Sequence, residues 1–287
     1  MQDAPADAAV SGATARMTAG TLARIGIGRP RWRGMMLLLA QLCLIAGFLI
    51  FWQIAVSDRN VAFFSRPAIV AAKLVELALD PDFHHDIVVT LAEIAIGYGI
   101  GAGIGLALGF ILGRSRLLTD LLEPFIIGLY SIPKIALAPL FIVWLGLGMP
   151  SKVAVVVLAT FFLVFFNTYS GLLNVNEELV RLARLMGASW HQCIFRVILP
   201  SAAHQIFIGL KTAVPYAVIG AVIGEYIGSN AGLGHFILYA SQTYDAPALF
   251  SGILALVLIV FFCNFALNGL ERRMIRWRHI EGGAVQL

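Results

Sequence analysis

The chain is 287 residues long, 60% hydrophobic and only 13% charged, with a mean hydropathy of +0.87. A soluble domain carries about 25% charged residues, so this composition excludes an ordinary water-soluble protein and points to a membrane one. The formal net charge of +4 is no nucleic-acid footprint, because the basic residues cluster beside apolar runs.

Residues 1–34 are polar, rich in Ala, Gly and Thr, and basic towards their end (Arg24, Arg29, Arg31, Arg33). They read as a disordered cytoplasmic tail with an interfacial anchor at 30–32, and the apolar run that follows is too long for a cleaved signal. A spanning helix needs about 20 apolar residues. Six stretches supply them, at about 35–56, 87–112, 121–145, 153–172, 204–227 and 249–270. Between the first two, an amphipathic helix is expected over about 68–79, and the run DPDFHHD (80–86) is expected to close that segment as a turn. The fold class is therefore an all-α membrane protein with six transmembrane helices over 35–270, followed by a cytoplasmic tail at 271–287.

The positive-inside rule orients these spans. With the N-terminus inside, fourteen arginines of the tails and inner loops face the cytoplasm, and only Arg59, Arg66, Lys73 and Lys152 face the other side. Both termini and the loop 174–200 are then cytoplasmic.

That loop, NVNEELVRLARLMGASWHQCIFRVILP, reads as a folded unit. Asn176 can N-cap a short helix, and Glu177 and Glu178 place negative charge on its first turn, where the macrodipole favours it. Leu179, Leu182, Ala183 and Met186 follow at helical spacing and form one apolar face beside Arg181. Gly187 stands where a helix-ending residue with positive φ is wanted. Ser189 and Gln192 make a capping box that opens a second helix, and Leu199-Pro200 marks a kink or a fresh start before the fifth span. Two short helices meeting at a glycine, with an apolar knob among arginines, are suited to docking another protein.

Within the spans, Gly97, Gly101, Gly105 and Gly109 recur every four residues in the second, and Gly220, Gly224 and Gly228 do so in the fifth. Such small-residue ridges let helices approach backbone to backbone. The run GYGIGAGIG imitates a dinucleotide loop, but it lies inside an apolar helix and not between a strand and a helix. In the third span, Pro133 and Pro139 free backbone carbonyls, which is tolerable only against protein or a water-filled cavity. Lys134 beside them costs about 2.5–3.5 kcal/mol at a helix centre; it reads either as a cation near an anion's route or as a lysine snorkelling to the inner interface. Glu225, late in the fifth span, is expected to face the bundle interior or a partner, in pairing or gating, and Glu93 to lie near the outer interface.

Asp82, His84, His85 and Asp86 could be drawn as a metal cluster, but a turn after Pro81 fits a solvated or partner-facing surface better. Cys43, Cys193 and Cys263 are far apart in apolar helical surroundings, as inert buried thiols are. No P-loop occurs, since none of the four lysines follows a glycine, and no nucleophile–base or metalloenzyme motif is present. An enzyme reading therefore has no candidate site, and no cofactor is expected on this chain.

The loop also resembles the cytoplasmic motif of ABC-importer membrane subunits, written E-A-A, three residues, G, nine residues, I-x-L-P. Ala183, Gly187, Val197 and Leu199-Pro200 occupy matching positions, whereas Arg181 and Leu182 stand in the E and first A slots. Residues 130–148, YSIPKIALAPLFIVWLGLG, are similar to the nitrate, sulfonate and taurine branch of these permeases. The resemblance implies a MetI-like permease fold with a coupling-helix loop, in a bacterial inner membrane. It further implies a homodimer, two ATP-binding subunits holding ATP and Mg, an extracytoplasmic solute-binding protein, lipid and no nucleic acid as partners, and a small anionic solute. The alternative is an ATPase-independent secondary transporter or channel, against which stand the absence of paired intramembrane carboxylates and of an inverted repeat.

Overall fold

In the computed structural model the described residues are 31–57 and 61–275, and among them every regular element is a helix. They form two compact units divided at Ala55/Val56. The first is helix α1 (Arg31–Ala55). It exposes apolar side chains all round, from Met35 and Leu38 to Phe51 and Ile54, as a helix bathed in lipid does. The tail expected over 1–34 lies outside the described residues except at 31–34, which are helical.

The second unit runs α2 (Val61–Phe64), α3 (Pro67–Leu77), α4 (Pro81–Arg114), α5 (Arg116–Ser131), a 3-10 turn (Lys134–Leu137), α6 (Ala138–Leu145), α7 (Met149–Leu173), α8 (Glu177–Leu185), α9 (Trp190–Gly228), α10 (Leu233–Gln242) and α11 (Ala246–Met274). Five helices, α1, α4, α7, α9 and α11, are long and apolar enough to cross a membrane. At 1.5 Å per residue, the 34 residues of α4 reach about 50 Å, beyond a hydrocarbon core of about 30 Å.

Several expectations are corrected. The third span, expected over 121–145 with interruptions at Pro124, Pro133 and Pro139, runs unbroken through Pro124 and divides at Pro133. Ile132 takes an extended ψ of 131°, the conformation favoured before a proline, so the chain breaks at Pro133 and resumes through the 3-10 turn. Pro139 is then tolerated in the first turn of α6. The run 80–86 is likewise no turn: Asp80 N-caps α4 through the Asp82 amide at 3.0 Å, and Pro81 takes the first helical position. Pro200 does not restart the chain either, because Trp190–Gly228 is helical throughout, with a wider π turn at Ile194–Ile198 just upstream. A proline cannot donate to the carbonyl four residues back, and the wide turn accommodates that gap. Helix α10 lies between the fifth and sixth expected spans.

The core is the layer α4–α7–α9. Gly97 lies against Val156 and Gly109 against Thr168, so α4 and α7 run parallel; Gly209 lies against Asn167 and Gly224 against Lys152, so α9 runs antiparallel to both. A methyl on Gly101 would sit 2.7 Å from the Val157 carbonyl oxygen, and one on Gly105 2.8 Å from that of Phe161. Gly220 packs on Val156 and Ala159, and Gly228 against Leu147 and Ile142. The two helices touch along their backbones, where dispersion and not dehydration holds membrane helices together. Ile94, Val156, Ala217, Val218, Ala221 and Leu233 fill the centre, while α11 covers α9, α10 and α3.

Candidate functional site

Three groups of residues stand out, and the helix directions place them. The loop 174–200 follows the C-terminal end of α7 and leads into α9. A buried polar cluster gathers at the opposite end of the same helices, and a cleft opens between the two.

In the loop, the Asn176 carboxamide oxygen accepts the Glu178 N–H at 2.8 Å and caps α8, with Glu177 and Glu178 in its first turn and Arg184 in its last. The helix ends on Gly187 at φ +84°. The Gly187 N–H donates to the Arg184 carbonyl at 2.9 Å and the Ala188 N–H to that of Ala183 at 3.0 Å, a Schellman closure that satisfies two end carbonyls. Ser189 and Gln192 complete the reciprocal capping box. Ser189 thereby caps the start of α9, which runs through the π turn at Ile194–Ile198 to Gly228.

The two faces of this unit differ. Val180, Cys193 and Ile198 are buried with Leu172, Val175 and Ala202, fastening it to the bundle. Leu179, Leu182 and Met186 point outward, Met186 being 80% exposed, and with Ala183, Arg196, Val197, Pro200 and Ser201 they bound a groove of about 450 Å³. Arg181 is exposed, 3.8 Å from Glu177; Glu178 is exposed and Leu199 half-buried. The Arg114 and Arg184 guanidinium carbons lie 4.9 and 5.3 Å from the Trp190 ring centre, tying the end of α4 to the loop by cation–π attraction.

The second group is a cleft of about 320 Å³ lined by Tyr130, Lys134, Val155, Ala159, Leu163, Tyr216, Ile219, Gly220 and Ile223. The break at Pro133 swings Lys134 back over the preceding turn. Its Nζ lies 4.1 Å from the Tyr130 ring centre and 5.2 Å from that of Phe162, and donates a long bond of 3.4 Å to the Tyr130 carbonyl. Pro133 and Pro139 are exposed beside it. Glu225 takes no part in lining this cleft.

Glu225 belongs to the third group, which the sequence reading did not assemble. The N–H groups of the α10 N-cap Gly232 and of the helix's first two residues have no helical partners, and each meets a side chain from another helix. The Gly232 N–H donates to Asp86 Oδ1 at 2.7 Å, the Leu233 N–H to Thr90 Oγ1 at 2.8 Å, and the Gly234 N–H to Glu225 Oε2. Thr90 in turn donates to Glu225 Oε1 at 2.7 Å. Beside them, Lys152 Nζ donates to Glu93 Oε1 at 2.6 Å and to Ser229 Oγ at 2.7 Å, and Glu93 is fully buried. The expected absence of paired intramembrane carboxylates is thus corrected: Glu93 and Glu225 share one buried cluster, each with its own partner, a lysine for one and a helix N-terminus for the other. Lys152, at the first turn of α7, is buried and not solvated. The spacing of Asp86, Thr90 and Glu93, one face of a helix, was the available signal. A second unforeseen group joins Lys211 and His204 of α9 to Glu271 of α11. His84, His85 and Asp82 are exposed on the first turns of α4, and no group of metal ligands occurs among the described residues.

The described residues thus form a close-packed helical bundle with five helices long and apolar enough to cross a membrane and an exposed apolar face on α8 at one end. Residues 99–277 match the family described as the inner membrane component of binding-protein-dependent transport systems, and the chain belongs to that family. It is 34% identical to the formylaminopyrimidine transport permease protein ThiX of Halalkalibacterium halodurans, over 80% of this chain and 92% of that one. It is 31% identical to the putative aliphatic sulfonates transport permease protein SsuC of Bacillus subtilis, over 89% and 92% of the two chains. Its fold matches an inward-facing structure of the MetNI methionine ABC transporter with a TM-score of 0.59, at 22% identity over 66% of this chain and 94% of that one. The chain is a transport component and not an enzyme.

Proposed function

We propose that this chain is the membrane-spanning subunit of an ATP-driven importer. It translocates a small organic anion delivered by an extracytoplasmic binding protein. Two ATP-binding subunits, which carry the ATP and Mg, dock on the cytoplasmic face and act through residues 177–200. The observation that carries this reading is the outward apolar face of α8. Leu179, Leu182 and Met186 stand exposed on a unit whose other face is buried and which joins α9 through the turn at Gly187. Fully burying side chains of this kind contributes about 1.5–3 kcal/mol each, enough to hold a partner subunit. The packed loop then carries closure of the ATPases through Gly187 into tilting of the bundle, the rigid-body form of switching.

Both termini and the loop face the cytoplasm, as the arginine distribution favours. A homodimer is supported by the exposure of Tyr216 and Ile219 on the cleft of a single copy, which two facing copies would close into a pathway. Relatives are named for sulfonate and for formylaminopyrimidine transport, which supports an organic anion or a heteroaromatic solute. Native mass measurement of the complex purified through this chain tests the assembly. Two copies of this subunit with two ATP-binding subunits are expected, and a particle without ATPase subunits contradicts the reading.

A further inference from the structure

The cleft at the proline break has a chemistry that narrows the solute, on the importer reading above. It holds one cation, Lys134, with no acidic partner among the described residues. Its walls are otherwise apolar and aromatic: Val155, Leu163, Ile219 and Ile223 with Tyr130 and Tyr216. The wall residues from α7 and α9 lie inside long helices, so their amides are engaged in intrahelical bonds and cannot solvate a ligand. A bare oxyanion such as nitrate gives up part of its hydration shell to these apolar walls, and one ammonium returns little of it. An anion carried on a flat apolar body fits both features. Its charged group meets Lys134, and its body lies on the exposed ring of Tyr216 and the face of Ile219.

The ammonium is also held in a defined place. Resting on the Tyr130 and Phe162 rings at 4.1 and 5.2 Å, it is poised by attraction to their π faces and not neutralised by a carboxylate. An incoming anion therefore meets an already oriented cation and displaces no ion partner.

We infer that the cleft formed by Lys134, Tyr130 and Tyr216 is a solute site selective for organic anions with a planar apolar body over small inorganic oxyanions.

The test uses the full chain with its ATPase subunits in lipid nanodiscs. Equilibrium binding is measured for radiolabelled benzenesulfonate, with methanesulfonate and nitrate as competitors. Benzenesulfonate is expected to bind, and to be displaced by methanesulfonate only at tenfold or greater excess and by nitrate not at all. Lys134→Gln and, separately, Tyr216→Leu are each expected to weaken binding at least tenfold while the chain still co-purifies with its ATPase. Three results overturn the inference: no benzenesulfonate binding to the unmodified complex, equal competition by nitrate, or unchanged affinity in both variants. Loss of the ATPase from the unmodified complex is a separate failure and strikes the importer reading instead.

Discussion

Removing the lysine from the buried Lys152–Glu93 pair gives the sharpest perturbation of the fold. The two groups meet at 2.6 Å with Glu93 fully buried and the lysine side chain 8% exposed. Lys152→Met keeps the length of the side chain and deletes the charge, leaving a carboxylate in the core without its cation. Breaking a buried pair from one side costs about 3–5 kcal/mol. In a domain of this size about 1 kcal/mol moves the melting temperature by about 2–4 °C, so a fall of about 10 °C is expected. The double variant Lys152→Met with Glu93→Gln removes both charges and is expected to regain most of that loss, because a neutral pair of similar volume is often tolerated. Heating detergent-purified protein in steps and following the monodisperse fraction by size-exclusion chromatography gives both numbers. A single variant that melts within 2 °C of the parent, or a double no better than the single, would refute the pairing.

Three further outcomes follow from other parts of the molecule. Leu182→Asp puts a charge on the exposed docking face, where it costs the isolated chain within about 0.5 kcal/mol; it is expected to abolish coupled transport while membrane insertion stays normal, and normal uptake by this variant contradicts the docking role. Gly101→Ala forces a methyl to 2.7 Å from the Val157 carbonyl and is expected to cost about 1–3 kcal/mol, whereas Gly103→Ala, with nothing within 4 Å, leaves the melting temperature unchanged or raised. Glu225→Ala strips a partner from the Gly234 amide and from Thr90 and is expected to cost about 2 kcal/mol, with α10 showing faster amide exchange than the rest of the bundle.

What could be read in advance was local. Asn176, Gly187 and the Ser189–Gln192 box are legible because each cap is completed within a few residues, and the glycine ridges because their period matches a helix face. The long-range pairs were not legible. Lys152 reads as an outer-side lysine until α4 and α7 are known to run parallel and in contact, and Glu225, read as pairing or gating, shows its partners only once α10 is seen to begin on it. The division of the third span at Pro133 was half legible: the prolines were evident, but apolarity alone gives one continuous span, and only the extended Ile132 shows where the helix stops. Helix α10 escaped notice because its ten residues are too few for a spanning segment and two of its N-terminal partners, Asp86 and Thr90, come from α4, far away in sequence.

The central claim is that motion enters this bundle through residues 177–200 from an ATP-hydrolysing partner. Solute uptake into proteoliposomes holding this chain, its binding protein and its ATPase subunits tests that most directly, measured with ATP, with a non-hydrolysable analogue, and with the ATPase subunits left out. Uptake only in the first condition is the expected result, and uptake at full rate without the ATPase subunits would contradict the account.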